Sequence, residues 1–423
     1  MDTTLQKPSE VSIMASNLVG SEIIKLAGDI KQRIARGEEI FNYTIGDFNP
    51  EIFPIPELLK EEIIKAYEER ETNYPAANGI PQLRESLSEY IRTEQGLDYA
   101  PDSFLVAGGA RPLIYATYQA IVDPGEKVLF PVPSWNNNHY THLANGTNIL
   151  VETSAENNFM PVAADFEEHI SEAGLIALCS PLNPTGTVFS HEQLSSICEM
   201  VIAENEKRKG VRKPLYLLYD QIYWQLTFGD YKHHDPVSID ARMKPYTIFI
   251  DGISKCLAAT GVRVGWAFGP DAVINKMKSI LGHVGAWSPK AEQVATARYL
   301  KKHDKDYLKW IRTEVKSRLQ GFHDGIQRLK ESGLPIDSIH PQGAIYLTIE
   351  VNLRGLSNGS ELIDSTEAMT SYLLNHAKLA VVPFYAFGTS RDSVWYRLSV
   401  GTAKNEDIPE VLSNLETALR RLS

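Results

Sequence analysis

Hydrophobic positions along this chain recur at two periods, one helical and one of strand length. Ser21 to Arg36 carries Ile23, Ile24, Ala27, Ile30 and Ile34 at helical spacing, with Gly37 as a C-terminal stop. FNYTIGDFNPEIFPIP then reads as a short strand entering a proline-rich turn. Gly46 stands at that strand's end, where backbone can approach a ligand closely. Pro56 to Glu69 predicts a short amphipathic helix, and Pro81 stands near the N-terminus of the next one. From there the two periods alternate. SFLVAGG, KVLFPVPSW, NILVETS, LIALCSPLNPTG, PLYLLYDQIYW and TIFIDGI are apolar runs of strand length. ARPLIYATYQAIV, Phe166 to Ala173 and HEQLSSICEMVIAENEKRK read as helices between them. Strands separated by helices predict right-handed crossovers and a mostly parallel sheet.

Ser288 to Gly333 is helical in pattern throughout, which predicts a long helix connecting two domains. The tail, 334–423, holds short strands in AIYLTIEV, LAVVPF and VWYRLSVG and ends in a helix through VLSNLETALRRLS. It reads as a smaller α+β domain sharing its core with the first helix. Residues 1–20 read as an ordered arm or as a loose tail. The expected fold class is α/β, a large domain with a seven-stranded-type, mostly parallel sheet covered by helices, plus the smaller α+β domain. Its expected division is 1–60 for the arm and part of the small domain, 61–309 for the large domain and 310–423 for the small one.

The length of 423 residues fits that two-domain prior. Hydrophobic content of 43% and charged content of 22% are ordinary for a globular protein. A net charge of -11 argues against a general nucleic-acid or anionic-membrane binder and leaves room for a local basic site. Cys179, Cys198 and Cys256 are far apart and form no CxxC pair, so a reducing, cytoplasmic setting and no metal site are expected. Cys256 reads as a small buried hydrophobe. The first ten residues are polar, and no run approaches the length of a membrane span.

Candidate chemistry begins at Lys255. It follows the apolar run TIFIDGI, and a poorly solvated lysine loses pKa and becomes nucleophilic, the condition for a Schiff base with an aldehyde. Arg263, eight residues on, could grip an anion in two-pronged fashion. An aldehyde cofactor carrying a phosphate satisfies both, and pyridoxal phosphate is one. A snorkelling lysine and a surface arginine would leave the same string, so the other strand ends decide. Gly109, Ala110 and Arg111 open a helix after SFLVAGG, either as an anion site or as a tight strand–helix turn that needs glycine for steric reasons. Trp135, after KVLFPVPSW, is either a stacking platform or a core residue. Asn183 sits in the rigid N-P-T-G turn, either as a fixed amide that could hydrogen-bond a phenolate oxygen or as a plain turn residue. Asp220 ends an apolar strand, so its carboxylate needs a partner, either a protonated pyridine nitrogen or a helix it caps. Tyr223, three residues on, could donate to the ring oxygen.

The ordered strings NYPAANGIPQLRESL, GGARPLIY, VDPGEKVLFPVPSW, SPLNPTG, DQIYW, SKCLAATGVRVGW and YRLSVG resemble the fold type I pyridoxal-phosphate aminotransferases of the aspartate aminotransferase-like class I/II group. The resemblance runs from about Ser21 to the C-terminus. It implies that Lys255 bonds the cofactor and then moves the proton between Cα and C4′. It implies that Asp220 pairs with the pyridine nitrogen, and that Asn183 and Tyr223 bind the ring oxygen while Trp135 stacks on the ring. Gly109, Ala110, Arg111, Ser254 and Arg263 are the implied phosphate-side residues. Tyr74 is implied to reach the partner subunit's cofactor, hence a homodimer. Arg397 and the Gly46 backbone are implied to bind the substrate α-carboxylate, beside Trp135 and Asn183. Two positions depart from the pattern: Gln221 replaces a common acidic residue, and Gly252 replaces a serine that often touches the phosphate.

The implied activity is transfer of an amino group between an amino acid and a 2-oxo acid such as 2-oxoglutarate. Arg111 favours a dicarboxylic donor, and His283 falls on a looser alignment near a distal-carboxylate position. Tyr140, Trp224 and Trp287 could instead line a pocket for aromatic or other neutral donors. A pyridoxal-phosphate lyase would use the same residues. A cofactor-sensing regulator would carry a DNA-binding domain, for which the stretch before the first helix is short.

Overall fold

The apolar runs become one seven-stranded sheet. In the computed structural model, which describes residues 10–18, 20, 22–302, 304–359 and 362–423, its order from one edge is Phe104–Ala107, Gly265–Phe268, Thr247–Gly252, Tyr216–Asp220, Ala173–Cys179, Lys127–Val132 and Thr147–Glu152. Every pairing is parallel except the two made by Gly265–Phe268. The interior strands are apolar on both faces, as a sheet covered on both sides requires. Phe104 and Val106 point into one core, with Leu83, Leu87, Leu194 and Ile197. Leu105 and Ala107 point into the other, with Leu113, Ile274 and Met277. The helices Pro81–Gln95, His191–Arg208 and Lys290–Leu300 lie on the first side, and Ala110–Ile121 and Asp271–Val284 on the second.

A separate apolar core surrounds a four-stranded antiparallel sheet ordered Val382–Pro383, Trp395–Ser399, Tyr346–Val351 and Ile336–Ser338. The helices Lys305–Glu331, Thr366–His376 and Ile408–Arg420 cover it. Gly325 lets the C-terminal helix close on the long one, because a Cβ there would collide with the Leu412 side chain. The strand Phe41–Asn42 pairs in parallel with Leu379–Ala380, and Tyr43, Phe48 and Phe53 then enter this second core. The first helix is Glu22–Ala35; Ile23 packs with Val382, Phe384 and Phe387. Residues 1–9 and Val19, within the stretch read as arm or tail, and Ser21, where the first helix was expected to begin, lie outside the described residues. Ile13–Ser16 is a single helical turn.

Three expectations change. Phe166 to Ala173 is not an α-helix: two 3-10 turns, Ala163–Phe166 and Ile170–Glu172, bury Phe166 and Ile170, and Ala173 already begins a strand. So short a connection cannot repay helix nucleation. The long helical stretch is two helices, Lys290–Leu300 and Lys305–Glu331, because the Asp304 carboxylate accepts the Tyr307 N–H at 3.1 Å and starts a new one. The strand Gly265–Phe268 and the helix Asp271–Val284 follow Lys255 without having been separated by the apolar pattern.

Candidate active site

Parallel strands deliver their carboxyl ends to one side of a sheet, and ligands bind there. Asp220 ends its strand in register with Cys179 and Ile250. Thr247–Gly252 ends at a glycine, and the one-turn helix Ile253–Cys256 carries Lys255 from there toward the same edge. Gly265 pairs with both Gly252 and Ala107. A Cβ on Gly265 would sit 2.5 Å from the Gly109 carbonyl carbon and 2.8 Å from the Ala110 nitrogen. A Cβ on Gly252 would sit 2.9 Å from both Gly265 Cα and the Val264 oxygen. The bare backbones therefore nest, and the position where a serine was noted as common has no room for a side chain without a backbone shift.

These ends open into a cavity of about 600 Å³. Gly46, Ala110, Arg111, Trp135, Asn183, Asp220, Tyr223, Ser254, Lys255, Arg263 and Arg397 line it, and Ile23 and Ala27 of the first helix contribute to its wall. Gly109 lies beneath it at φ 98°, N-capping the helix Ala110–Ile121; a Cβ there would strike the Arg263 guanidinium. Tyr74 does not line the cavity of its own chain. It is 81% exposed, with its ring 5.2 Å from that of Trp287. Of the residues weighed for substrate choice, His283 is exposed near the end of its helix. Trp224 turns its indole N–H to Asp251 at 2.9 Å, and Tyr140 packs on Tyr118. Neither these nor Trp287 line the cavity.

Four cations, Lys255, Arg111, Arg263 and Arg397, face two carboxylates, Asp47 and Asp220. The cations' hydrogen bonds go to neutral oxygens. Lys255 Nζ donates to the Gly46 carbonyl at 2.7 Å. Arg263 donates to the carbonyls of Thr260 and Gly108 at 2.7 and 2.6 Å. Arg397, 1% exposed, donates to Asn183 Oδ1 at 2.9 Å and to the Thr44 carbonyl at 2.6 Å, while its Nε has no partner among the described residues. Arg111 lies 5.3 Å over the Trp135 ring. A buried guanidinium without a counter-ion is a site for an anion.

Burial pushes the Lys255 amine down to about 8 from 10.5; Asp47 opposes this and the three arginines reinforce it. Burial likewise raises the Asp220 carboxyl to about 6, against the Ile222 N–H that it accepts at 3.1 Å and the charge of Lys255. Both groups are strained in their ionised forms and would be relieved by a partner. Asn183 gives its oxygen to Arg397, which leaves its amide N–H₂ to donate. The Tyr223 and Tyr346 hydroxyls share a hydrogen bond at 2.7 Å.

Asp47 and Tyr346 were missed from the sequence. Tyr346 and Thr348 are polar residues two apart on a buried strand, with Thr348 paired to Arg397, and that alternation was the available signal. Gln221, the other departure, is buried away from the cavity, donating to Gln95 Oε1 at 3.1 Å.

The donor set fits pyridoxal phosphate. An amine of lowered pKa suits its aldehyde, a destabilised carboxylate its ring nitrogen, and Arg263 over an uncapped helix N-terminus its phosphate. Arg397 is left with neutral partners only. This is the equipment of a pyridoxal-phosphate enzyme. The sequence pattern of the family described as aminotransferase class I and II matches residues 38–415, and the chain belongs to that family. It is a transaminase, and pyridoxal 5′-phosphate is its cofactor. It is 28% identical over 413 residues to a probable aspartate/prephenate aminotransferase of Rhizobium leguminosarum bv. phaseoli, covering 96% of each chain. The crystal structure of the Rhizobium meliloti aspartate aminotransferase superposes with a TM-score of 0.90 at 26% identity, covering 98% of this chain and 100% of that one. An aromatic aminotransferase from Pyrococcus horikoshii superposes at 0.80 with 26% identity, covering 93% and 98%.

The lowered Lys255 pKa sets a test on the apoprotein. Below about 8 the amine is protonated and cannot attack an aldehyde. The rate of cofactor uptake, followed by absorbance, should rise about tenfold per pH unit below 8 and level off above it. A rate still climbing steeply through pH 9 to 10 would mean an ordinary lysine.

Proposed function

We propose that this aminotransferase moves the amino group of a dicarboxylic amino acid, aspartate or glutamate, to a 2-oxo acid such as 2-oxoglutarate, in a ping-pong cycle in the cytoplasm. The observation that carries the reading is a cavity holding a nucleophilic lysine together with Arg397 and Arg111, two arginines with no carboxylate partner among the described residues. The names of the aspartate aminotransferases it resembles support it. Three free cysteines are in keeping with a reducing compartment. Among the described residues, no helix is long and apolar enough to cross a membrane.

When bound, pyridoxal phosphate supplies an aldehyde for the amine and an electron-poor ring that accepts charge from Cα. Lys255 Nζ would hold the cofactor through its aldehyde carbon, and the same nitrogen, as a free amine, would move the proton between substrate Cα and C4′. Asp220 keeps the ring nitrogen protonated. Asn183 Nδ2 and the Tyr223 hydroxyl donate to the ring oxygen, and Tyr346 orients Tyr223. Trp135 covers the ring. Gly109, Ala110, Ser254 and Arg263 hold the phosphate, with Arg111 close by. Arg397, fixed by Asn183 and Thr44, takes the α-carboxylate beside the Gly46 backbone. The same reading divides the chain at 1–60, 61–309 and 310–423, and separate cores on the large and antiparallel sheets support it.

Arg111 is the proposed partner of the distal carboxylate. A charge-assisted hydrogen bond is worth about 1.5–3 kcal/mol, or roughly ten- to a hundredfold in kcat/KM. Arg111→Ala should cost that much with aspartate and little with alanine as donor. Equal losses would assign Arg111 to the cofactor or the fold. A wild-type preference for aromatic donors over aspartate would remove the dicarboxylate reading outright.

The reading includes a homodimer with shared sites, supported by the exposure of Tyr74 outside its own chain's cavity. Mixing Tyr74→Ala with Lys255→Ala subunits should restore part of the activity, because one site of each mixed dimer then carries neither defect. Mixed dimers that form and stay inactive would show that each site is built from one chain.

A further inference from the structure

The segment that gives Ile222 and Tyr223 to the active site gives Trp224, Gln225, Thr227 and Phe228 to a second groove, of about 680 Å³. Five cations line this groove. Lys305, Lys309, Arg312 and Lys316 come from the long helix Lys305–Glu331, and Lys232 comes from the loop opposite. The four helical cations are spaced by four, three and four residues, so they share one face over about 16 Å. The other face of that helix carries Ile311, Val315, Leu319 and Phe322 into the core. Arg312 Nη2 donates to the Thr227 carbonyl at 3.0 Å, which ties the helix to the opposite wall.

None of the five is paired with a carboxylate among the described residues, although the chain has 53 acidic residues against 42 lysines and arginines. Other cations of the same helix do pair, Arg318 with Glu314 at 2.8 Å and Lys330 with the strand residue Asp337 at 2.6 Å. Like charges at these spacings destabilise a helix by a few tenths of a kcal/mol per pair. One carboxylate, Glu94, stands in the groove wall. All five are exposed, and they come from two elements around one concavity.

We propose that this groove is an anion site, separate from the active site, for a small molecule carrying two or more phosphate groups. A terminal phosphate brings about -1.5 to -2 charges and a bridging one about -1, so pyrophosphate or ATP offsets most of the five cations. The volume lies within the roughly 300–1,000 Å³ typical of small-molecule pockets. A nucleic acid would run beyond the groove onto a protein of net charge -11. An acidic peptide carries single charges on longer arms and would leave the cations less well neutralised.

Calorimetry on the holoenzyme at fixed moderate salt, with pyrophosphate and with ATP as probes, tests the site while the cofactor fills the active-site phosphate cradle. Saturable binding is expected. Lys309→Glu/Lys316→Glu should weaken it tenfold or more, and Lys309→Gln/Lys316→Gln by an intermediate factor. Both variants should keep wild-type kcat and KM without the probe, which reports that they fold. No saturable binding, or the same affinity in the charge-reversed variant, overturns the proposal. Binding of an aspartate-rich peptide but of neither phosphate probe would overturn it in favour of a protein partner.

Discussion

Lys255 holds an amine where an ammonium ion is poorly tolerated, and the cavity is arranged around that fact. The fall from 10.5 to about 8 corresponds to about 3 kcal/mol against the charged form. Burial supplies most of it, and three arginines around the same space add to it. A protein with an excess of acidic residues has gathered uncompensated positive charge at one end of its main sheet. That concentration makes the cavity receptive to a phosphate and to carboxylates, and it keeps the lysine nucleophilic before either arrives.

The geometry behind this depends on backbone packing as much as on charge. Gly109, Gly252 and Gly265 come from three different segments and are close enough that a Cβ on any of them would strike its neighbours. Their nesting brings the helix N-terminus at Ala110, the Arg263 guanidinium and the Lys255 turn to one place. From the other side, the antiparallel sheet delivers Arg397 and Tyr346, which meet Asn183 and Tyr223 from the large sheet through direct hydrogen bonds. Contacts between the antiparallel sheet and the loops that follow the large sheet's strands thus fall within the cavity.

Much of this was legible in the sequence because a parallel sheet leaves a plain record. Its strands are unbroken apolar runs, and the polar residue ending each run is at the ligand edge, as with Asp220, Asn183 and Trp135. What was not legible depends on neighbours across space. Tyr346 acquires meaning only from its bond to Tyr223, Asp47 only from facing Lys255. Gly265–Phe268 is a four-residue strand opened by a glycine, too short to stand out beside the Lys255 turn. The break at Asp304 is hidden because charged residues on both sides continue the helical period, and one carboxylate capping one N–H decides it. Trp224 looked like pocket lining because aromatic residues near a site often are; its indole N–H is instead committed to Asp251, and its ring faces the second groove.

The central claim is that Lys255, and no other lysine, is the residue to which the cofactor bonds. Reduction of the holoenzyme with borohydride, followed by proteolysis and mass spectrometry, tests it directly. The account predicts a single pyridoxyl-phosphate label, on the peptide containing Lys255, with loss of the visible absorbance and of transamination. A label on a different lysine, or full activity in Lys255→Ala, would contradict it.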